Sequence, residues 1–284
     1  MQSQPAILKF SEAERPLGDR LLKIAVEIDR IEGYSEPHSI AIARLSEAIG
    51  AQMGLHGSDL TALKFAALAH DIGERIMKRN YLFRPNTLNC EETLDLWRHP
   101  ILGEQAAGEL RLSRQTQLLI RWHHEWWNGL GYPDGLANEA IPLGARIMRV
   151  ADSYCSLVCN RPYRQRFDPL EAEQMIADQA GIEFDPQVVK LVLARLIEER
   201  RNRETQFQLV EPEIETQIVL TPEGLQTAIV EPESQPDQVS ATYEPYAEFQ
   251  DIIEEESIVT VNPESSVTKA IEINAQDEAT EPNN

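Results

Sequence analysis

The sequence predicts an all-α helical bundle followed by a disordered acidic tail, and three observations support this prediction. Apolar residues recur every three or four positions up to about Glu204. Helix-start signals precede several of these runs, and no convincing strand-like alternation occurs among them. Beyond Glu204 the composition becomes acidic and dotted with proline. We therefore divide the chain into an N-terminal segment (1–17), a helical domain (18–204) and a tail (205–284).

Seven helices can be justified in order along the helical domain. The first carries Leu21, Ile24, Ala25 and Ile28 on one face, and the second carries His38, Ile42, Leu45 and Ile49. The other five begin at the start signals Ser58, Ser113, Pro142, Asp168-Pro169 and Asp185-Pro186. The helix after Ser113 is expected to end near Asn128-Gly129. The helix after Asp168 is expected to end at Gly181.

The composition is typical of a globular protein in a reducing compartment. Hydrophobic residues make up 42% of the 284 residues and charged residues 26%. No apolar run reaches the roughly 18 residues that a membrane-spanning helix needs, and residues 1–18 lack the apolar stretch of a secretory signal. Three cysteines do not build a disulfide framework. We therefore expect a cytoplasmic protein without a membrane partner.

The formal net charge of −21 belongs mostly to the tail. Residues 205–284 contain 18 Asp or Glu and one basic residue, Lys269, whereas the rest of the chain is nearly neutral. A nearly neutral body argues against broad nucleic-acid binding, which needs Lys and Arg to displace phosphate counterions. The tail has two interpretations: a solvated disordered segment, or a segment that binds a protein partner by adding short strands to it. The sequence leaves both open.

Two pairs of adjacent residues, His70-Asp71 and His123-His124, indicate metal chemistry. A single histidine on an apolar helix face is more often a satisfied core residue than a ligand. Adjacent residues on a helix point about 100° apart, so such pairs do not serve one core niche but can reach two metal ions. Imidazole and carboxylate ligands suit Fe, Mn or Zn, and the absence of thiolates argues against a structural zinc finger.

These pairs belong to a longer ordered set of motifs. His70-Asp71, with His38 upstream and Asp152 downstream, resembles the signature of the HD phosphohydrolase superfamily. The similarity extends to its HD-GYP subfamily through His99-Pro100, His123-His124-Glu125, Asn128 to Pro133, Ile141-Pro142, Ala145 to Ile147, and Asn160 to Arg164. It runs from about Gly18 to Arg200. Characterised HD-GYP members hydrolyse the bacterial messenger cyclic di-GMP, so the resemblance implies an HD-domain bundle and a signalling phosphodiesterase.

The resemblance also implies a ligand set for two divalent metal ions, with Fe or Mn expected. His38, His70 and Asp152 would hold the first ion, His99, His123 and His124 the second, and Asp71 would bridge them. In such a centre a hydroxide between the ions attacks the phosphorus. His70 and Asp71 are therefore the catalytic residues implied by the family.

The same resemblance names residues that contact the substrate. Arg161 and Arg164 are candidates for binding phosphate, which agrees with the two-point grip of a guanidinium group. Tyr132 lies in the signature loop, residues 128–133, and is expected to shape the site, although Gly131 and Pro133 also suit an ordinary tight turn.

Three features leave the substrate side open. Glu74 stands where the family usually has a lysine associated with the substrate phosphate. Glu74 is a candidate catalytic residue, either as a partner of metal or water or as a group that excludes some phosphate substrates. The alternative is a surface residue paired with Arg75 or Lys78. Tyr34 stands where some members have a glutamate for a third metal, so two metals are expected. Trp122, Trp126 and Trp127 could stack on guanine, although Trp122 has the spacing of a core residue.

The sequence therefore predicts a metal-dependent phosphodiesterase whose substrate is a small nucleotide, with cyclic di-GMP expected from the resemblance. Two alternatives remain open. The same metal centre could act on another nucleotide phosphoester, or the domain could be a catalytically weak signalling module that binds a partner through the acidic tail.

Overall fold

The computed structural model describes residues 8–77, 81, 88–161, 164–208, 216–221 and 224–229. These residues form nine α-helices, namely α1 (Arg15–Ile31), α2 (His38–Gln52), α3 (Ser58–Leu68), α4 (Cys90–Leu96), α5 (His99–Glu109), α6 (Arg114–Trp122), α7 (Leu143–Val158), α8 (Pro169–Asp178) and α9 (Pro186–Gln208). Two short 3₁₀ helices span Ile72–Ile76 and Asn138–Ala140. The prediction of an all-α bundle is confirmed. None of the helices in the described part of the chain has the length and apolar character needed to cross a membrane.

Three of the predicted helix starts are capped by the side chains that signalled them. Ser113 Oγ accepts a hydrogen bond from the backbone N–H of Thr116 (3.1 Å) at the start of α6. Asp168 and Asp185 each accept from the N–H two residues ahead, at 2.8 Å, before α8 and α9. Such bonds satisfy backbone donors that the first turn of a helix leaves without a partner.

Helix α6 is shorter than predicted, because it ends at Trp122 and not near Asn128. Three backbone N–H groups of residues 134–136 donate to the buried carboxylate of Glu125, at 2.7 to 3.1 Å. This anchoring folds the chain into a loop directly after the helix. His123 and His124 therefore lie in the turn that follows α6, as His70 and Asp71 lie in the turn that follows α3. Helix α8 also ends early, at Asp178, three residues before Gly181.

The core is built around α2, α3 and α7. Helix α2 packs against both of the others, while α1 and α6 flank them. Ile42, Leu63, Ile147 and Val150 are fully buried where these helices meet. Helices α4 and α5 lie outside the predicted set, and α5 packs against the 3₁₀ helix that follows Asp71. The bundle thus brings together the ends of α3, α5 and α6 beside the middle of α7.

The structure differs from the expectation of a disordered tail in two places. Helix α9 continues across the predicted boundary at residue 204 and ends at Gln208. Strands β1 (Thr216–Thr221) and β2 (Gly224–Ile229) form an antiparallel pair in which Ile218 is opposite Thr227 and Leu220 is opposite Leu225. The β-branched residues of this stretch favour extended backbone. The rest of the tail, and with it the predicted partner-binding role, lies outside the described residues.

Candidate metal centre and its cavity

The predicted ligands come from the ends of four helices and the middle of a fifth. His38 begins α2, His99 begins α5, two pairs follow α3 and α6, and Asp152 lies within α7. The start of α2 is fixed by the buried carboxylate of Asp29, which accepts from the N–H (3.1 Å) and the hydroxyl (2.5 Å) of Ser39. Rigid helices therefore present all these side chains to one region.

The described residues form two histidine-containing groups of ligand atoms, within each of which all the atoms lie within 4.8 Å of one another. The first ligand cluster contains His38, His70 and Asp152, and the second contains Asp71, His99, His123 and His124. All seven predicted metal ligands are thus brought together. Asp71 lies between the clusters, with Oδ2 2.9 Å from His70 Nε2 and Oδ1 3.2 Å from His99 Nε2. A carboxylate in this position can bridge two cations.

Three of the histidines are held in one orientation by the backbone. Nδ1 of His70, His99 and His123 donates to the carbonyl oxygen three residues earlier, at 3.0, 2.7 and 2.6 Å respectively. Because a carbonyl only accepts, Nδ1 carries the proton, and the neutral ring keeps its lone pair on Nε2. These rings are therefore preset to bind a metal through Nε2.

His124 is held differently, because its Nδ1 lies 3.1 Å from Nη1 of Arg149. A guanidinium group only donates, so Nδ1 of His124 accepts and the neutral ring carries its proton on Nε2. Unlike His99 and His123, His124 is not preset for binding a metal through Nε2 while Arg149 holds this position.

Burial and neighbouring charges together separate the pKa values in the centre. Burial lowers the pKa of His70, but the Asp71 carboxylate outweighs it and raises the pKa to about 10. Burial lowers the pKa of His99 to about 4. Burial raises the pKa of Asp152, but a hydrogen bond from His38 and the charge of His70 bring it down to about 2. One proton on His70 therefore offsets carboxylate charge at the place where a metal cation would do so.

The donor set fits divalent cations. Oδ1 of Asp71 is buried and makes no hydrogen bond within the described residues, although His123 Nε2 is 3.7 Å away and His99 Nε2 is closer still. With Nε2 lone pairs facing it, this oxygen meets repulsion unless a cation lies between the groups. Imidazole and carboxylate ligands suit first-row transition metals such as Fe and Mn.

A third group consists of carboxylates alone: Glu32, Asp71 and Glu74, again with oxygens within 4.8 Å of one another. Glu74 is only 7% exposed, and Arg75 pairs instead with Glu27 at 3.0 Å. The interpretation of Glu74 as a surface residue paired with Arg75 is therefore wrong, because the 3₁₀ turn directs Glu74 inward. Lys78, the other suggested partner, lies outside the described residues. Sequence reasoning missed Glu32, although an acidic residue at the end of α1, directly before Gly33, was an available signal.

Two glycines allow the close approaches that assemble the centre. A Cβ on Gly73 would overlap the carbonyl oxygen of His99, and a Cβ on Gly131 would overlap that of His124. The first contact lets the turn after Asp71 lie against α5. The second lets the signature loop lie against the histidine pair, where Tyr132 stacks on the His124 ring with 4.9 Å between ring centroids.

The clusters open into a cavity of about 430 Å³, a volume within the range of small-molecule sites. Its polar lining includes Asp71, Glu74, Tyr132, Arg149, Asp152 and Arg161, and its apolar lining includes Leu96, Leu157, Met175, Ile176 and Phe184. Two of the three predicted substrate contacts, Tyr132 and Arg161, therefore face it. Sequence reasoning missed Arg149, whose place on α7 gave no motif signal.

Arg164 is placed differently from the expectation. Its guanidinium donates to the carbonyl oxygens of Ser156 (2.7 Å) and Leu157 (3.3 Å) and lies over the Phe167 ring, so it supports the end of α7. The described cavity lining includes neither Arg164 nor the tryptophans at 122, 126 and 127. Trp97, which the sequence did not single out, instead stacks on Tyr132 at 5.1 Å.

Comparisons with known proteins agree with this geometry. A family model described as HD domain matches residues 24–188. The cyclic di-GMP phosphodiesterase response regulator RpfG of Xanthomonas campestris is 30% identical over 192 residues, covering 67% of this chain and 51% of that protein. A cyclic di-GMP phosphodiesterase of Vibrio cholerae is 38% identical over 136 residues, covering 45% and 28% respectively.

A solved structure adds a likeness of fold. The crystal structure of a cyclic GMP-AMP specific phosphodiesterase of V. cholerae is 25% identical, with a TM-score of 0.52, and the match covers 65% of this chain and 49% of that one. The chain spans about half the length of RpfG and less of the V. cholerae relative. Since the family model covers more than half of the chain and the HD-GYP motifs lie at its centre, the chain belongs to the HD domain family and is similar to its HD-GYP phosphodiesterases.

Proposed function

We propose that this protein is a metal-dependent phosphodiesterase that hydrolyses a cyclic dinucleotide, with cyclic di-GMP as the substrate. The observation that carries the proposal is the pair of ligand clusters that meet at Asp71 at the wall of one cavity. Metal centres of this kind with two ions clamp the attacking and leaving oxygens of a phosphoryl transfer. The names of RpfG and of the V. cholerae relative indicate cyclic di-GMP.

The residues divide the work as follows. His38, His70 and Asp152 would hold one divalent ion, and His99, His123 and His124 the other, with Asp71 between them; we propose Fe or Mn. Ions held there would supply an activated water and neutralise charge on the phosphate oxygens. Burial of the histidines excludes bulk water, which strengthens every charge interaction in the centre.

The cavity wall supplies substrate contacts of two kinds. Arg161 lies over the ring of Tyr34, 4.4 Å from its centroid, and its guanidinium has the geometry to bind a phosphate at two points. The apolar side chains of Leu157, Met175 and Phe184 offer surface for nucleobases. This mixture of charged and apolar lining favours a nucleotide over a simple phosphate ester.

Glu74 belongs to this proposal as a partner of the metal centre. Its burial beside Asp71 and Glu32 supports a role toward metal or water at Asp71. A carboxylate at this distance from a bridging ligand adds negative charge that attracts a cation.

The experiment that tests the proposal uses purified protein reconstituted anaerobically with Fe(II) and, separately, with Mn(II). Bound metal per chain is measured first, and turnover of cyclic di-GMP and of 3'3'-cGAMP is then followed by chromatography. The expected result is about two metals per chain and hydrolysis of cyclic di-GMP in preference. Two bound metals together with hydrolysis of only cGAMP or another phosphoester would overturn the proposal that cyclic di-GMP is the substrate. A protein that binds no metal would overturn the catalytic proposal and favour a signalling module.

A further inference from the structure

The cavity has few positive charges for a site that would hold a phosphodiester. Its described lining contains five carboxylates, namely Glu32, Asp71, Glu74, Asp152 and Glu183, but only two guanidinium groups, those of Arg149 and Arg161. Arg161 was already expected to bind phosphate. Arg149 is therefore the second positively charged group that the described lining offers to a phosphodiester.

Arg149 lies between the two ligand clusters. Its Nη1 is 3.1 Å from Nδ1 of His124 in the second cluster and 3.6 Å from Oδ2 of Asp152 in the first cluster. A group bound across both clusters would therefore approach this guanidinium. Arg161, in contrast, lies over the ring of Tyr34, 4.4 Å from its centroid.

The guanidinium is fixed and yet has donor capacity left. Nη2 is paired with Glu183, and the group lies over the Phe184 ring at 6.0 Å, so its position is set from one side. Its Nε is buried and makes no hydrogen bond within the described residues. A buried donor without an acceptor is costly unless an incoming group supplies one.

We propose that the Arg149 guanidinium is a phosphate-binding group of this cavity, which receives the phosphodiester where it lies across the two ligand clusters. This inference rests on the proposed function and names a residue that deepens it. The chemistry suits the task, because a guanidinium forms paired, charge-assisted hydrogen bonds to phosphate oxygens. Bound phosphate would replace His124 and Asp152 as the acceptors facing Arg149 and would leave the Nδ1 of His124 free of a competing donor.

The test compares Arg149→Gln with a matched control on the same helix. Arg146 lies one turn earlier, pairs with Asp185 at 2.5 Å, and is outside the described cavity lining, so Arg146→Gln removes an equal charge from α7 but no group of that lining. Each Mn(II)-loaded protein is titrated with inorganic phosphate by calorimetry, and its bound metal is measured. We expect Arg149→Gln to bind phosphate at least about tenfold more weakly than the wild type, with unchanged metal content. We expect Arg146→Gln to bind phosphate with the affinity of the wild type.

Arg149→Lys is a second variant that keeps the charge but lacks the planar fork. We expect its phosphate affinity to lie between those of the wild type and Arg149→Gln, with both variants keeping the far-UV circular dichroism of the wild type. The proposal is overturned if Arg149→Gln binds phosphate normally, if both Arg149 variants lose metal, or if the metal-loaded wild type binds no phosphate. Because the titration needs no turnover, a failure to hydrolyse cyclic di-GMP would count against the proposed function alone.

Discussion

The two sides of the cavity are built in different ways. On the metal side, three ring orientations are set by the carbonyl oxygen three residues earlier in the chain. On the substrate side, positions are set by contacts between distant residues, such as Arg149 with Glu183 and Arg161 with Tyr34. The orientation of the metal ligands thus depends largely on local sequence, whereas the positions of the substrate-binding side chains depend on how the whole chain folds. The two sides should therefore respond differently to substitution.

The largest effect is expected from removing the metal side itself. In His70→Ala/Asp71→Ala, each cluster loses one ligand and the bridge between the clusters is gone, so we expect loss of bound metal and a fall in turnover on the order of 10³-fold. Metal analysis and chromatographic assay measure both. His56→Ala is the control, since His56 is an exposed loop residue bonded to the Gly54 carbonyl oxygen. Full metal content in the double variant would show that these two residues are not needed to hold the metal.

A change at Glu74 tests where the two sides meet. Glu74→Lys places an ammonium group beside Asp71 and Glu32, which repels a divalent ion and pairs with the ligand carboxylate. We expect turnover to fall by about 10- to 100-fold and metal content to be lower. Glu74→Gln should lose less turnover and less metal than Glu74→Lys. Unchanged metal content and unchanged turnover in Glu74→Lys would show that this residue plays no part in the centre.

A third prediction separates the two arginines that the sequence treated as equivalent. Arg161→Gln is expected to raise KM about tenfold, through loss of a charged phosphate contact. Arg164→Gln is expected to lower the free energy of unfolding by about 1–2 kcal/mol, because the carbonyl groups of Ser156 and Leu157 lose their donor. Steady-state kinetics and chemical denaturation measure the two effects. Equal changes in KM for both variants would show that Arg164 also reaches the substrate.

How much the sequence could predict follows the same division. Helical periodicity and capping residues such as Ser113 and Asp168 are local signals, and they identified most of the bundle. The ligand pairs were visible for the same reason. The early end of α6 was not visible, because it depends on Glu125 accepting from three N–H groups about ten residues away. Local helix propensity does not report such an anchor.

The residues that were missed or misplaced depend on distant contacts. Glu32 joins Asp71 and Glu74 only because α1 ends beside the turn after α3. In the sequence, nothing distinguishes Arg149 from the other polar residues of α7. Its position is set by contacts with His124 and Glu183. Motif matching suggested phosphate binding for both arginines of residues 160–164, but backbone carbonyl groups hold one of them. For Glu32 and Arg149 the deciding partners are more than 20 residues away in the chain, and for Arg164 they are backbone groups seven and eight residues away, which no side-chain motif reveals.

The smallest effect is predicted for Glu14, which belongs to neither side of the cavity. A substitution there shows how far a loss of stability alone changes metal content. Glu14 joins the N-terminal segment to α3: its carboxylate accepts from Thr61 Oγ1 (2.5 Å) and Ser11 N (2.8 Å), and Lys64 Nζ lies 3.6 Å away. Burial raises the pKa of Glu14, but these hydrogen bonds and the Lys64 charge outweigh it and bring the pKa to about 2.

A folded-state pKa below the unfolded value means that Glu14 stabilises the protein above the unfolded pKa of about 4.5, and that this contribution is lost as the pH falls toward 2. We therefore expect Glu14→Gln to lower the free energy of unfolding of the metal-free protein by about 1 kcal/mol at pH 7, and the difference from wild type to shrink as the pH falls below 4.5. Denaturation curves at several pH values measure it. Because Glu14 is not part of the described cavity lining, metal content and phosphate affinity at pH 7 should not change. A loss of metal in this variant would mean that general destabilisation is enough to empty the centre, and the metal losses expected at His70 and Glu74 would then need no local explanation.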